Sequence, residues 1–448
     1  MPSSWRTRLP APVRRTLAAV HRALDYALRA LTTNLFRWAV ILLRGFRILP
    51  HPDPRPNSIL IVNLTSHLGD TILQMPIIEA LRAAHPEARI EVATESAAAP
   101  LLERMAEIDH VYALQLTREP PVSIPQSIRR VVEVCLCYWE QMRLCAPEIC
   151  LLPRWDNDQY RSQVLALLIG APRRIGFTWR SLPSVRPAPY RDRLLTERIA
   201  GGSRMHEAAR FCLLASNAGL LPAPLDPGPA AVPALQRVAS GVEWASLAQR
   251  VGIDISRPFA VIAPGASMTR RLWPIENWAE ICKFLIARGA ALVVLSGPSD
   301  TAIARELHEA SGRTVLLVAG QTNLLESTAI LAHAALFLGN DSGPGHVAGA
   351  LGTPTVVLAA AGPGCDPDDP AAPARLHPLG PFVEFRAPTR NLAPCSGACH
   401  ATEPHCITLI QPDEVMQAVD AVLVRAGRTL TVLEARPLAD AQRTSLAR

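Results

Sequence analysis

Lysine is almost missing from this 448-residue chain: of 45 basic residues, only Lys283 is lysine. Together with 41 prolines, that bias reads as a GC-rich genome more than as chemistry. Charged residues are also sparse at 19%, against 49% hydrophobic, which excludes wholesale disorder and supplies a large core. Long apolar runs are absent. A membrane-spanning helix needs about 20 apolar residues, and the best stretch, Trp38–Leu43, is closed off by Arg37 and Arg44. A short apolar core followed by a small-residue cleavage site is missing too, so no cleavable signal peptide is expected. No G-x-x-x-x-G-K-[ST] occurs, and no G-x-G-x-x-G follows the first strand of either half, which removes the ATPase phosphate loop and the dinucleotide fingerprint. There is no internal repeat.

The length fits two to four domains. The formal charge of +6 is an uneven average. Residues 1–55 hold ten Arg against Asp25 and Asp53, a net +8, which leaves 35 basic and 37 acidic groups, a net −2, for the rest. The body is therefore not a nucleic-acid surface by charge. Within the basic segment Leu17, Val20, Leu24, Leu28, Leu31, Leu35, Trp38 and Leu42 step by three or four, one face of a helix. Arg15, Arg22 and Arg29 each sit two residues before a stripe leucine, about 200° around the helix. An apolar stripe opposed by arginine suits a helix lying on an anionic membrane surface, so residues 1–50 are expected to bind one. A helix docked on the domain with a solvated basic face is the plainer alternative.

Residues 51–57 read as a linker, followed by strands at 58–64, 89–93, 111–114 and 149–152 alternating with helices at 70–84, 97–105, 127–145 and 205–219. The five prolines of residues 222–234 mark a second linker. Strands at 259–263, 291–296, 315–318, 335–338 and 355–358 then alternate with helices at 275–288, 301–311, 323–333 and 345–351. This is an α/β pattern with parallel sheets. Four regions are expected: 1–55 as the basic amphipathic segment, 56–234 and 235–428 as two domains lining a cleft, and 429–448 as a tail.

The second-half strands end in loops of distinctive composition. The first carries Pro264-Gly265-Ala266-Ser267 and then Arg270 and Arg271, and the fourth carries Asn340-Asp341-Ser342-Gly343-Pro344-Gly345-His346 where a helix begins. Small residues admit an anion to backbone amides, arginine offers a permanent planar charge, and a helix start favours phosphate. Asp341-Ser342-Gly343 alone could be a helix cap and tight turn. Taken with Ser267, Arg271 and His346 at one sheet edge, it reads as a nucleotide-diphosphate site. In the first half, Leu68-Gly69-Asp70 closes the first loop. Asp70 has two open readings, a helix cap or a general base within reach of an acceptor hydroxyl. His67, close by, is either a substrate contact or simply solvated.

Of ten cysteines, residues 135, 137, 145, 150, 212 and 282 fall in apolar or helical stretches and read as reduced core residues. Cys395, Cys399 and Cys406 cluster with His400 and His405, but the C-x3-C-x6-C spacing lacks the paired C-x2-C rhythm of a common zinc site. Reduced thiols or a local disulfide are placed ahead of a metal, and no metal or cofactor is expected.

In this order the residues resemble glycosyltransferase family nine, the ADP-heptose:lipopolysaccharide heptosyltransferases. The match is carried by Ile59–Pro76 with its Gly-Asp, by Ala263–Ser267 through Arg271-Leu-Trp-Pro274, and most specifically by Gly339–His346 through Ala350-Leu-Gly-Thr-Pro354. It spans roughly residues 58–425, and the cysteine loop with Ile410-Gln-Pro-Asp-Glu-Val415 is similar to the family's C-terminal end. The resemblance implies a GT-B architecture of two Rossmann-like domains, acceptor on the first and nucleotide sugar on the second, with inverting transfer that usually needs no metal. By position, Asp70 would be the general base and Arg271 the diphosphate cation. Ser267, Thr322, Leu324, Asp341, Ser342, Gly343 and His346 would line the donor site.

Two departures stand out. Asn63-Leu64-Thr65-Ser66 replaces a loop that is basic in many relatives, and the N-terminal basic helix is extra to the family core. Asp366-Pro-Asp368-Asp369 mimics a metal-binding D-x-D but falls beside Gly362-Pro363, and is read as loop. The expected reaction moves heptose from ADP-heptose to the sugar core of a lipid-anchored glycan, on the inner face of the cytoplasmic membrane. Another donor, a protein acceptor, or a non-catalytic nucleotide-sugar-binding protein are the alternatives.

Overall fold

The computed structural model describes residues 11–50, 53–65, 67–116, 124–154, 161–181, 190–223, 227–228, 230–369, 372–395 and 401–430. The chain divides into two compact units. The first comprises Met1–Ser66 and Pro76–Asp226, and the second comprises His67–Met75 and Pro227–Arg448. Nine residues that lie in sequence inside the first unit thus belong by packing to the second.

The first unit is a six-stranded sheet ordered β3-β2-β1-β4-β5-β6. Its strands are β1 (Arg55–Asn63), β2 (His110's partner strand, Arg89–Glu95), β3 (His110–Leu114), β4 (Pro147–Leu152), β5 (Arg173–Phe177) and β6 (Glu197–Ile199). All pairings are parallel. Ile59–Val62 of β1 are buried, as the central strand of a sheet covered on both faces requires. The expected linker is shorter than its composition implied, because Arg55–Asn57 already belong to β1 and Arg55 N–H donates to Ala146 O at 2.8 Å. Residues 51 and 52 lie outside the described residues.

The second unit repeats that plan: β12-β11-β10-β7-β8-β9, again all parallel. Its strands are β7 (Phe259–Ala263), β8 (Ala291–Val294), β9 (Leu316–Leu317), β10 (Leu336–Asn340), β11 (Thr355–Leu358) and β12 (Val383–Arg386). Counted from each unit's first strand, both orders run 3-2-1-4-5-6, the doubly wound Rossmann order. In such a sheet ligands bind beyond the carboxyl ends at the point where strand order reverses. In the second unit that point lies between β7 and β10, the strands that carry the Pro264–Arg271 and Asp341–His346 loops. The core beneath it includes Trp273, Trp278, Leu336, Leu338, Ile407, Ile410 and Val419.

The N-terminal helix spans Ala11–Gly45. Val40 is buried against the first unit, with Phe36 packed on the same cluster, and Arg44 Nη2 donates to Leu168 O at 2.6 Å. The repeating stripe is turned the other way: Leu31, Leu35, Trp38 and Leu42 are 55–59% exposed. The side chains of Leu17, Val20, Leu24, Arg15, Arg22 and Arg29 lie outside the described residues, as do residues 431–448 of the expected tail. No helix among the described residues is long and apolar enough to cross a membrane.

Candidate functional site

The turn at the end of β1 starts the helix Leu68–Ala84, two residues earlier than the sequence pattern places it. Asp70 is therefore the third residue of the helix, inside its first turn, and not its N-cap. A carboxylate there is favoured by the helix dipole. This turn packs on the start of a second helix, Gly343–Leu351, within the same unit. A β-carbon added to Gly69 would lie 2.7 Å from His346 Cδ2, and one on Gly343 would lie 3.0 Å from Leu68 Cβ. Both glycines are there because backbone and side chain leave no space for more. Asp70 and His346, far apart in sequence, thus come to one place.

His346 is buried, and its Nδ1 has no hydrogen-bond partner. Burial holds its pKa below the usual 6.5, opposed by the negative charges of Asp341 and Asp70. Arg271 Nη1 lies 3.2 Å from Asp341 Oδ2 and also donates to Asp341 O at 3.2 Å. The pair is mostly but not wholly covered, so the guanidinium keeps a route to solvent. Ser342 is the N-cap of the helix Gly343–Leu351 by backbone conformation, but its Oγ donates backwards to Asn340 O at 3.0 Å. No side-chain cap covers this helix start, Pro344 has no N–H, and Gly345 N–H donates to Ser342 O at 3.1 Å, so it is the Gly343 N–H that suits an anion.

Asn340 holds these pieces together. It is fully buried at the end of β10, its Nδ2 donates to Pro264 O at 2.6 Å, and its Oδ1 accepts from Trp273 N at 3.3 Å. One side chain thereby ties the β7 loop, the Arg271 segment and the Asp341 loop. The sequence reading includes Asn340 in the motif but assigns it no role; a buried amide at the last residue of a strand was the available signal. Asp300 is a second such residue: a β-carbon on Gly265 would meet its carboxylate, and burial raises its pKa.

The remaining expected residues are more dispersed. Ser267 is exposed on the β7 loop. Thr322 Oγ1 shares a 2.9 Å hydrogen bond with Ser327, and Leu324 opens the helix Leu324–His333 beneath a capping box of Asn323 and Glu326. His67 is exposed. Asp366 closes a local turn, accepting from Asp368 N at 3.0 Å, in keeping with the loop reading. Cys399 and His400 lie outside the described residues. The arrangement offers the carboxylates of Asp70 and Asp341, a buried imidazole, one guanidinium and a helix start, parts suited to proton removal and to holding an anion.

A family model described as glycosyltransferase family 9 (heptosyltransferase) matches residues 156–362. Lipooligosaccharide heptosyltransferase 2 of Haemophilus ducreyi is 26% identical over 319 residues, covering 68% of this chain and 83% of that protein. Lipopolysaccharide heptosyltransferase 2 of Salmonella typhimurium is 26% identical over 299 residues, covering 65% and 80%. Among solved structures, the ADP-heptose lipopolysaccharide heptosyltransferase II of E. coli aligns with a TM-score of 0.58 at 21% identity, over 83% of this chain and 99% of that one. The family 9 glycosyltransferase of Veillonella parvula aligns with a TM-score of 0.63 at 18% identity, over 84% and 99%. These structures share the fold, the two-domain α/β GT-B class. The motifs, the paired sheets and the matches agree, and over residues 156–362 the chain is similar to glycosyltransferase family 9, the heptosyltransferase family.

Proposed function

We propose that this glycosyltransferase moves heptose from ADP-heptose to the sugar core of a lipopolysaccharide-type acceptor, with inversion at the anomeric carbon. The observation that carries the reading is the packing of Gly69 on His346, which joins Asp70 to the Asp341–His346 block. In the proposed step Asp70 takes the acceptor hydroxyl proton as the oxygen attacks the anomeric carbon from the face opposite ADP. The C–O bond to the diphosphate breaks, and ADP leaves with its charge met by Arg271 and by the Gly343 N–H at the start of Gly343–Leu351. Ser267, Thr322, Leu324, Asp341, Ser342, Gly343 and His346 are proposed to line the donor. His346, kept neutral by burial, adds no second cation to compete for the carboxylates. Mass spectrometry of products from ADP-heptose and a lipooligosaccharide acceptor tests this: a mass gain of one heptose is expected. Transfer from a different nucleotide sugar alone, or donor binding without transfer or hydrolysis, would replace the reading.

The enzyme is further proposed to work as a peripheral protein on the inner face of the cytoplasmic membrane. What supports this is the outward stripe Leu31, Leu35, Trp38 and Leu42, continued by Phe46 and Ile48. A second helix of the same unit, Ile124–Cys137, also turns apolar residues outward: Ile128, Val132 and Leu136 are 50–56% exposed, and Trp139 and Leu144 follow. The two helices share one core cluster through Val40, Val134 and Tyr138, and Tyr138 Oη donates to Pro50 O at 3.4 Å. Arg37 lies 5.7 Å from the Trp38 ring and Arg143 5.6 Å from the Trp139 ring. Tryptophan beside arginine, over an apolar stripe, is the chemistry of a membrane interface.

A further inference from the structure

We propose that Cys395, His405 and Cys406 bind a thiophilic divalent metal ion, zinc by its ligand chemistry, as a clip on the second unit. This departs from the sequence reading, which placed thiols or a disulfide first because the spacing is unusual. Spacing matters only through the geometry it produces, and here the geometry converges. The two Sγ atoms and one imidazole nitrogen all lie within 4.8 Å of one another. His405 Nδ1 is 3.7 Å from Cys395 Sγ and 3.4 Å from Cys406 Sγ. Zinc–sulfur bonds of about 2.3 Å and zinc–nitrogen bonds of about 2.0–2.1 Å, set at the tetrahedral angle, place sulfur and nitrogen about 3.5 Å apart. Both observed distances fall beside that value.

Both thiols converge on the one Nδ1 of His405, and a cation at the centre would serve all three ligand atoms. The sulfurs are also removed from water, Cys395 at 8% and Cys406 at 3% exposure. Buried thiolates need a counter-charge. Leu392 N–H points at Cys406 Sγ at 3.4 Å, the outer hydrogen bond that steadies a metal-bound sulfur. Three protein ligands leave a fourth tetrahedral position for water or a further donor.

The place in the fold gives the clip a purpose. Cys406 opens the short helical turn Cys406–Leu409, whose Ile407 is buried in the core with Ile410. Ile410 O accepts from Trp273 Nε1 at 3.0 Å, and Trp273 is two residues from Arg271. The metal would fix the loop that supports the arginine from below. Its role is positioning, independent of the proposed donor and acceptor.

The test is metal analysis of the full-length chain, purified without a metal-affinity step and dialysed. About one equivalent of zinc per chain is expected, and Cys406→Ser and His405→Ala should each lower it about tenfold or more. Less than about a tenth of an equivalent in the parent chain, or full occupancy in both variants, overturns the proposal. Because a variant could fail to fold, the parent chain is also alkylated with iodoacetamide, and Cys395 and Cys406 are read by peptide mass spectrometry. Chelator treatment should speed alkylation of both about tenfold or more, since a coordinated thiolate is not free to react. Equal rates with and without chelator, or a native Cys395–Cys406 disulfide, overturn it.

Discussion

The two units wind their strands in the same order and spend their surfaces differently. Where β7 and β10 part, the second unit places Arg271, Asp341 and His346, held by the buried amide of Asn340. The first unit carries outward apolar stripes on Ala11–Gly45 and on Ile124–Cys137. Its first βα turn, where a doubly wound sheet usually keeps its chemistry, is packed into the other unit. Topology therefore fixes where a site can stand, and loop composition decides whether one does. The strand-end loops of the second unit are suited to charge, and the outward stripes of the first to an apolar surface.

That contrast is broken most sharply at Asp70. Asp70→Asn should lower transfer by about 10²–10⁴-fold while leaving ADP binding and thermal stability near those of the parent. Near-normal turnover, measured by product mass spectrometry, would remove the base from the second unit's account.

On the first unit, replacing Leu35, Trp38 and Leu42 together by Asp should abolish flotation with anionic liposomes. Each of these side chains forgoes about 1.5–3 kcal/mol of burial on docking. Since all three are already exposed, the melting temperature should barely change. Binding that survives the triple change would return the stripe to an ordinary solvated helix face.

Gly69→Ala sharpens the comparison from the opposite side. In an open helix the change would stabilise by up to about 1 kcal/mol. Here the new methyl meets the buried His346 ring, and a loss of about 1–3 kcal/mol in urea unfolding is expected. A stabilised variant would mean that the turn does not pack on the second unit.

The smallest effect is a pH dependence. His346 has a folded pKa below its ordinary 6.5, so the folded state binds fewer protons than the unfolded chain. Its contribution is complete above pH 6.5 and declines as pH falls below that value. Melting temperatures at descending pH should fall more steeply for the parent than for His346→Gln; equal slopes would count against the buried neutral ring.

Much of this was legible in the chain. Strands β1, β4, β7, β10 and β11 contain the apolar runs that a buried parallel strand requires, and each was expected within a few residues. Strands β5, β6 and β12 were not. Arg173-Arg-Ile-Gly-Phe177 opens with two arginines, Glu197–Ile199 is three residues long, and Val383–Arg386 carries two charges. Strands β6 and β12 lie at sheet edges, where one side lacks a partner and polar residues are kept, while β5 is paired on both sides and is hidden by its leading arginines. The motif residues of the site were readable only in combination, because glycine, serine and aspartate at a strand end also serve as caps and turns. The contact of Gly69 with His346 was not, since nothing local to either residue records a neighbour hundreds of positions away. The amphipathic period of the N-terminal helix was plain, but which face docks is set by Val40 and Arg44, which stand outside the repeating stripe.

The turn His67–Met75 has a consequence for heredity. It is encoded within the first unit and packs with the second. A chimera spliced at Asp226–Pro227 from two relatives would take Gly69 from one parent and His346 from the other. Such a chimera keeps this packing only between parents whose glycine and imidazole still fit, and the pair acts as a compatibility lock on recombination.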